Sequence, residues 1–142
     1  MGKRWRLWPA LGATVLWLWF IYARSAQPAD ISRAESKGVL ELLLHVFPFL
    51  NMVIVRKLAH FTEFFLLGGL LYLDWSLLGK PALLLSTLTG LLAAAADEFL
   101  QTFVPGRSGQ LSDVLLDLFG VIVGAGLALL LRRRKEAKGR GA

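Results

Sequence analysis

The stretch Asp97-Glu98-Phe99-Leu100-Gln101-Thr102-Phe103-Val104-Pro105-Gly106-Arg107, followed by Asp113 and Asp117, sets carboxylates, an amide and a guanidinium among otherwise lipid-soluble runs. A central Asp or Arg costs a membrane helix about 2.5 to 3.5 kcal/mol, so such groups cluster only where they face one another, water or a ligand. Upstream, Lys57, His60 and Glu63 step by three and share one half of a helix. Asp97 with Gln101, and Asp113 with Asp117, step by four and stack one above the other. By residue type, His60, Glu63, Asp97, Glu98 and Asp117 are the candidates for acid–base or other catalytic work. Lys57, Gln101, Arg107 and Asp113 are candidates for ligand binding, with Arg107 suited to a phosphate or carboxylate.

If all are ionised, the carboxylates of Glu63, Asp97, Glu98, Asp113 and Asp117 outnumber Lys57, Arg107 and a protonated His60. Either some carboxyls hold protons, or water reaches them, or a cation completes the site. A hard divalent ion would suit the oxygen donors, and His60 could join it, although no two-histidine or zinc-type spacing is present. The sequence therefore leaves metal and cofactor open. Ser108 and Ser112 lie near Arg107, but neither has an adjacent histidine base, so nucleophilic catalysis is poorly supported. Structural readings stand beside the chemical ones. Lys57 and Arg107 could anchor at the headgroups, His60 and Glu63 could pair between helices, Asp97, Glu98 and Gln101 could act as polar glue, and Asp113 could cap a helix.

Those residues need apolar elements to position them. Hydrophobic residues make up 56% of the 142 residues, and the mean hydropathy of +0.57 is too high for a soluble domain of this size. The net charge of +6 comes largely from the two ends, Lys3, Arg4 and Arg6, then Arg132-Arg133-Arg134-Lys135 with Lys138 and Arg140. Basic flanks of apolar segments are orientation signals, and no basic and aromatic surface suited to nucleic acid is visible. With no cysteine there is no disulfide framework and no thiolate site.

Leu7 to Ala23 reads as a first span, with Trp8, Trp17 and Trp19 as its aromatic belts; small residues around Ala23–Ala26 imitate a cleavage site, but an uncleaved anchor is preferred. Gln27 to Gly38 reads as a polar loop entering a helix. Val39 to Val55 carries Glu41, His45, Pro48 and Asn51 and reads as an interfacial or re-entrant segment. Further spans run from Leu58 to Leu78, from Ala82 to about Phe103 and from Asp113 to Leu131, with a basic tail from 132 to 142. The expected fold is all-α: a single domain, an integral membrane bundle of four transmembrane helices plus the interfacial or re-entrant helix. An even span count and the basic ends put both termini in the cytoplasm of a multi-pass cell-membrane protein. All the polar sets then fall in the outer third of the membrane. Below Asp113 and Asp117, Gly120 and Gly124 continue the stripe and would admit a close neighbour.

Lys57-Leu58-Ala59-His60-Phe61-Thr62-Glu63-Phe64, Asp97-Glu98-x-x-Gln101-x-Phe103-x-Pro105-Gly106-Arg107 and Asp113-x-x-x-Asp117-x-x-Gly120-x-x-x-Gly124 closely resemble the VanZ-like family of small bacterial membrane proteins. The resemblance covers about residues 50 to 130. Phe64 stands where the family commonly has tyrosine, and Asp117 where it commonly has asparagine. The resemblance implies a role at the cell envelope, and the family's namesake is associated with low-level resistance to the glycopeptide antibiotic teicoplanin. Three function classes follow. The first is an outward-facing protein that binds or modifies a lipid-linked or envelope molecule, such as a lipoglycopeptide. The second is a non-catalytic envelope binder or shield. The third is a small proton- or ion-coupled carrier, for which four spans would require an oligomer. Membrane lipids are the expected surroundings, and nucleic acid is not an expected partner.

Overall fold

The computed structural model describes residues 4–45 and 47–140; Lys3 and Ala142 at the chain ends, and Val46, lie outside them. The described residues form five α-helices and no strand: α1 (Arg4–Ser25), α2 (Ala29–Leu44), α3 (Met52–Leu77), α4 (Ala82–Gln101) and α5 (Leu111–Arg140). Contacts fix their directions. Lys57 near the start of α3 meets Asp113 near the start of α5, so these two run parallel. Ser25 at the end of α1 meets Asp97 near the end of α4, while Thr14 and Trp17 of α1 meet Asp74 and Glu63 of α3 in reversed order. α1 and α4 thus run opposite to α3 and α5.

Small residues let these helices close on one another. On α5 the residues Asp113, Asp117, Gly120, Val121, Gly124 and Ala125 are buried along one stripe. A Cβ at Gly120 or Gly124 would collide with the α3 backbone at Phe61 or Phe65, and one at Gly68 would collide with Val121. The Gly-x-x-x-Gly pair read from the sequence is therefore the α3–α5 contact, and Gly68 completes it from the other side. On α4, Ser86, Gly90 and Ala94 step by four and lead into the buried Asp97, Glu98 and Gln101. Ile21, Phe64, Leu67, Ala94 and Val121 form the apolar core above which the polar groups sit. Phe64 is fully enclosed there, where its ring needs no hydroxyl partner.

The surface is the reverse of a soluble protein's. Trp8, Leu16, Trp19, Leu66, Leu84, Leu92, Leu115 and Leu130 face outward, while Thr14, Asp74, Ser86, Asp97 and Asp117 face inward. An apolar exterior around a polar interior suits a lipid surround. α4 and α5 are both long and apolar enough to cross a membrane. α1 and α3, at 22 and 26 residues, have sufficient length at about 1.5 Å per residue.

Several boundaries differ from the sequence reading. The stretch from Gln27 to Gly38 is mostly helical, because α2 begins at Ala29. The run from Val39 to Val55 is three things: the end of α2, a turn around Pro48, and the start of α3. Asn51 belongs to no polar stripe; its side chain caps α3 by accepting the Ile54 N–H at 3.0 Å. α5 continues as helix through the basic residues to Arg140 rather than ending at Leu131. The Trp17 indole N–H donates to the Glu63 carbonyl at 2.9 Å, tying α1 to α3 and making α1 part of the bundle.

Candidate functional site

The last turn of α4 brings Asp97, Glu98 and Gln101 inward together, and each has a distinct set of partners. Asp97 is fully buried; its Oδ2 accepts from the Ser25 hydroxyl at 2.9 Å and from the Gln101 amide at 3.0 Å. Its Oδ1 has no hydrogen-bond partner among the described residues. Glu98 Oε2 accepts the Gln110 backbone N–H at 2.8 Å and so fastens the α4–α5 loop, leaving Oε1 buried without a partner.

α3 and α5 enter this end side by side and interlock their charges. Lys57 Nζ lies 2.6 Å from Asp113 Oδ1, and Arg56 Nη2 lies 3.8 Å from Oδ2. Asp113 spends its carboxylate across the bundle on these two cations, although it lies in the first turn of α5 where an acid also suits the helix dipole. One turn deeper, Asp117 is fully buried with neither oxygen hydrogen-bonded among the described residues. His60 Nδ1 lies 3.9 Å from its Oδ1, too long for a hydrogen bond. His60 Nδ1 has no hydrogen-bond partner among the described residues either. One atom each from His60, Asp97 and Asp117 lie within 4.8 Å of one another. Glu63, two turns into the same face of α3, pairs at 3.3 Å with Arg24, which also holds Glu35 of α2 at 3.0 Å.

Arg107 reaches the cluster through its turn. Val104 accepts the Arg107 N–H at 3.1 Å across Pro105-Gly106, and Gly106 takes φ 75°, the positive value that a type II turn requires at this position. The turn aims Arg107 back at the end of α1, where Nη2 donates to the Arg24 carbonyl at 3.4 Å. Burial, and then the like charge of Arg56, lower the Arg107 pKa from its ordinary value. A guanidinium held beside other guanidiniums, with no ion pair to a carboxylate among the described residues, has donors suited to an anion.

Arg24, Arg56, Arg107, His60 and Glu63 line a cleft of about 30 Å³ beneath α2, room for a water or an ion. It sits between two larger spaces. Ser36 and Arg56 are shared with a cavity of about 380 Å³ lined by Arg33, Lys57 and Asp113. Arg24, Ala59 and Glu63 are shared with a groove of about 450 Å³ whose walls include Trp17, Val39, Leu43 and Leu58. Every site residue singled out from the sequence is at this one end of the bundle. Arg24, Ser25 and Arg56 are also there and the sequence reading passed over them as site residues. Their signal was weak, since a basic residue at the edge of an apolar run reads as an interface anchor.

No curated protein and no solved structure matches the chain. A protein-family model described as VanZ/LLP1 matches residues 10–132, which takes in α1 through most of α5 and all the residues of the polar end. The chain belongs to the VanZ/LLP1 family.

Proposed function

We propose that this chain is a multi-pass protein of the cell membrane, with α1, α3, α4 and α5 as four spans, both termini cytoplasmic and α2 lying at the outer surface. Its polar end binds or modifies an amphiphilic envelope molecule with an anionic head. The observation that carries this reading is the set of guanidiniums from three elements, Arg24, Arg56 and Arg107, around a cleft that shares wall residues with a basic cavity on one side and an apolar groove on the other. A phosphate or carboxylate head fits the first and a hydrocarbon tail the second. His60 and Glu63 line the cleft, and Glu98 keeps one oxygen free, so these three are the acid–base candidates. Asp97, Gln101, Lys57 and Asp113 hold the arrangement around them.

The test uses the purified protein in nanodiscs with polyprenyl-linked phosphates as probes. Saturable binding should weaken by about tenfold or more in Arg107→Ala and Arg56→Ala, each of which removes a charge-assisted contact worth about 1.5 to 3 kcal/mol, without loss of insertion. Unchanged binding in both variants would sink the reading. Product formation separates modification from shielding. In a susceptible Gram-positive host, tolerance to the lipid-tailed teicoplanin should rise more than tolerance to vancomycin, and Glu98→Gln, which keeps an oxygen for the Gln110 N–H, should erase the difference. Equal shifts for both drugs would count against a resistance role.

A further inference from the structure

Asp117 is the least explained residue of the bundle. It is fully buried, neither carboxylate oxygen has a hydrogen bond among the described residues, and the nearby cations are engaged elsewhere. Arg24 holds Glu35 and Glu63, Lys57 and Arg56 hold Asp113, and Arg107 donates to the Arg24 carbonyl. Asp97 Oδ1 and His60 Nδ1 are orphaned as well, and one donor atom each from His60, Asp97 and Asp117 lie within 4.8 Å of one another.

We propose that His60, Asp97 and Asp117 form a mononuclear centre for a first-row divalent cation such as Zn²⁺ or Mn²⁺. Two carboxylates neutralise the dication, so the filled centre carries no net charge in a low-dielectric bundle. Protons would cancel the charge of the carboxyls, but His60 Nδ1, 3.9 Å from Asp117 Oδ1, is beyond hydrogen-bond reach of it and would stay without that partner. One ion bound between them gives all three side chains a partner at once. Donor atoms around such an ion lie about 2.8 to 3.6 Å apart, given bonds of about 2.0 to 2.2 Å, so the present spread within 4.8 Å closes by side-chain rotation of about an ångström or two. The mixture of imidazole and carboxylate favours a transition metal over the all-oxygen preference of Mg²⁺ or Ca²⁺.

The surroundings fit a metal ligand set. Ser25 and Gln101 grip the other oxygen of Asp97 and fix the direction of Oδ1, the outer-shell support that metal carboxylates receive. Three protein ligands leave an open position, as in centres that activate a water or polarise a substrate oxygen. His60 also lines the cleft, so that position is adjacent to the guanidiniums. With Nδ1 bound to metal, the acid–base role in the cleft passes to Glu63. The centre rests on its own donor atoms and not on the identity of the envelope molecule.

Chelator-treated protein in nanodiscs, titrated with Zn²⁺, Mn²⁺ or Mg²⁺, should take up about one Zn²⁺ or Mn²⁺ per chain and unfold at a higher temperature, with Mg²⁺ weaker. Asp117→Ala and His60→Ala should abolish both effects, and Ser25→Ala should weaken affinity by about 10- to 100-fold. Asp74→Asn, a buried acid outside the centre, should keep both. Because Asp117 makes no hydrogen bond, Asp117→Ala should fold without metal at least as well as the metal-free wild type. Absence of uptake in the wild type, or uptake that survives in Asp117→Ala and His60→Ala, overturns the proposal. Neither result bears on the lipid-binding assay, which is read with a different probe and on different residues.

Discussion

Asp74 shows at the scale of one residue how this bundle tolerates buried charge. Its Oδ2 accepts the Thr14 hydroxyl at 2.6 Å, and the same hydroxyl lies 3.2 Å from the Ala10 carbonyl. Removing one partner of a buried pair leaves the other unsatisfied, whereas removing both is close to neutral. Thr14→Val should therefore lower stability by about 1 to 3 kcal/mol in detergent unfolding, and Thr14→Val with Asp74→Leu should recover most of it. A neutral Thr14→Val would mean that water already serves Asp74. The pair was invisible in the sequence. Asp74 is a lone acid in an apolar run and Thr14 an ordinary threonine, and only the packing of α1 on α3 brings them together. The gathering of the polar cluster at one end of the bundle was legible because its acids are many and regularly spaced along the helices. His60 and Asp117 could be placed at one depth by counting helix turns. Which atoms stay unpaired could not be read that way, because it depends on where Arg24, Arg56 and Ser25 point.

At the scale of elements, small residues decide how closely α3 and α5 approach. Gly124 abuts the Phe65 carbonyl region and Gly120 that of Phe61, whereas a Cβ at Gly126 would meet nothing within 4 Å. Gly124→Val should force the helices apart and cost about 1 to 3 kcal/mol or more, the usual penalty of overpacking. Gly126→Ala, on an open face, should stay within about 0.5 kcal/mol of the wild type or gain slightly from helix propensity. Detergent unfolding of the two variants side by side checks this, and equal stabilities would refute the close-packed interface. The helices of the bundle were legible because apolar runs of sufficient length announce themselves, and Gly79-Lys80-Pro81 and Pro105-Gly106 mark the breaks. The helix expected between the first two spans is present as α2, but its start was placed too late, because its polar first half looks like a loop.

The charge distribution of the whole molecule determines its proposed orientation. Both ends of the bundle carry basic residues, but in different ways. At the polar end Arg24, Arg56, Lys57 and Lys37 are paired with Glu35, Glu63, Asp113 and Glu41. At the opposite end lie Arg6, Lys80 and the run Arg132 to Lys135, in which Arg132 pairs with Glu136. The positive-inside rule weighs lysine and arginine close to the spans and largely ignores acids, and the longer basic blocks flank α1 and α5 at the end away from the cleft. That end should be cytoplasmic. The chain has no cysteine, so single introduced cysteines report without background. In intact cells a membrane-impermeant maleimide should label Lys37→Cys and Ser108→Cys, which lie beside the cleft. Lys80→Cys and Lys138→Cys should react only after the membrane is opened. The opposite pattern would turn the guanidiniums toward the cytoplasm and exclude an extracellular lipopeptide as their ligand. Labelling of Lys80 and Lys138 on different sides would mean an odd number of crossings between them, and the four-span arrangement would fall.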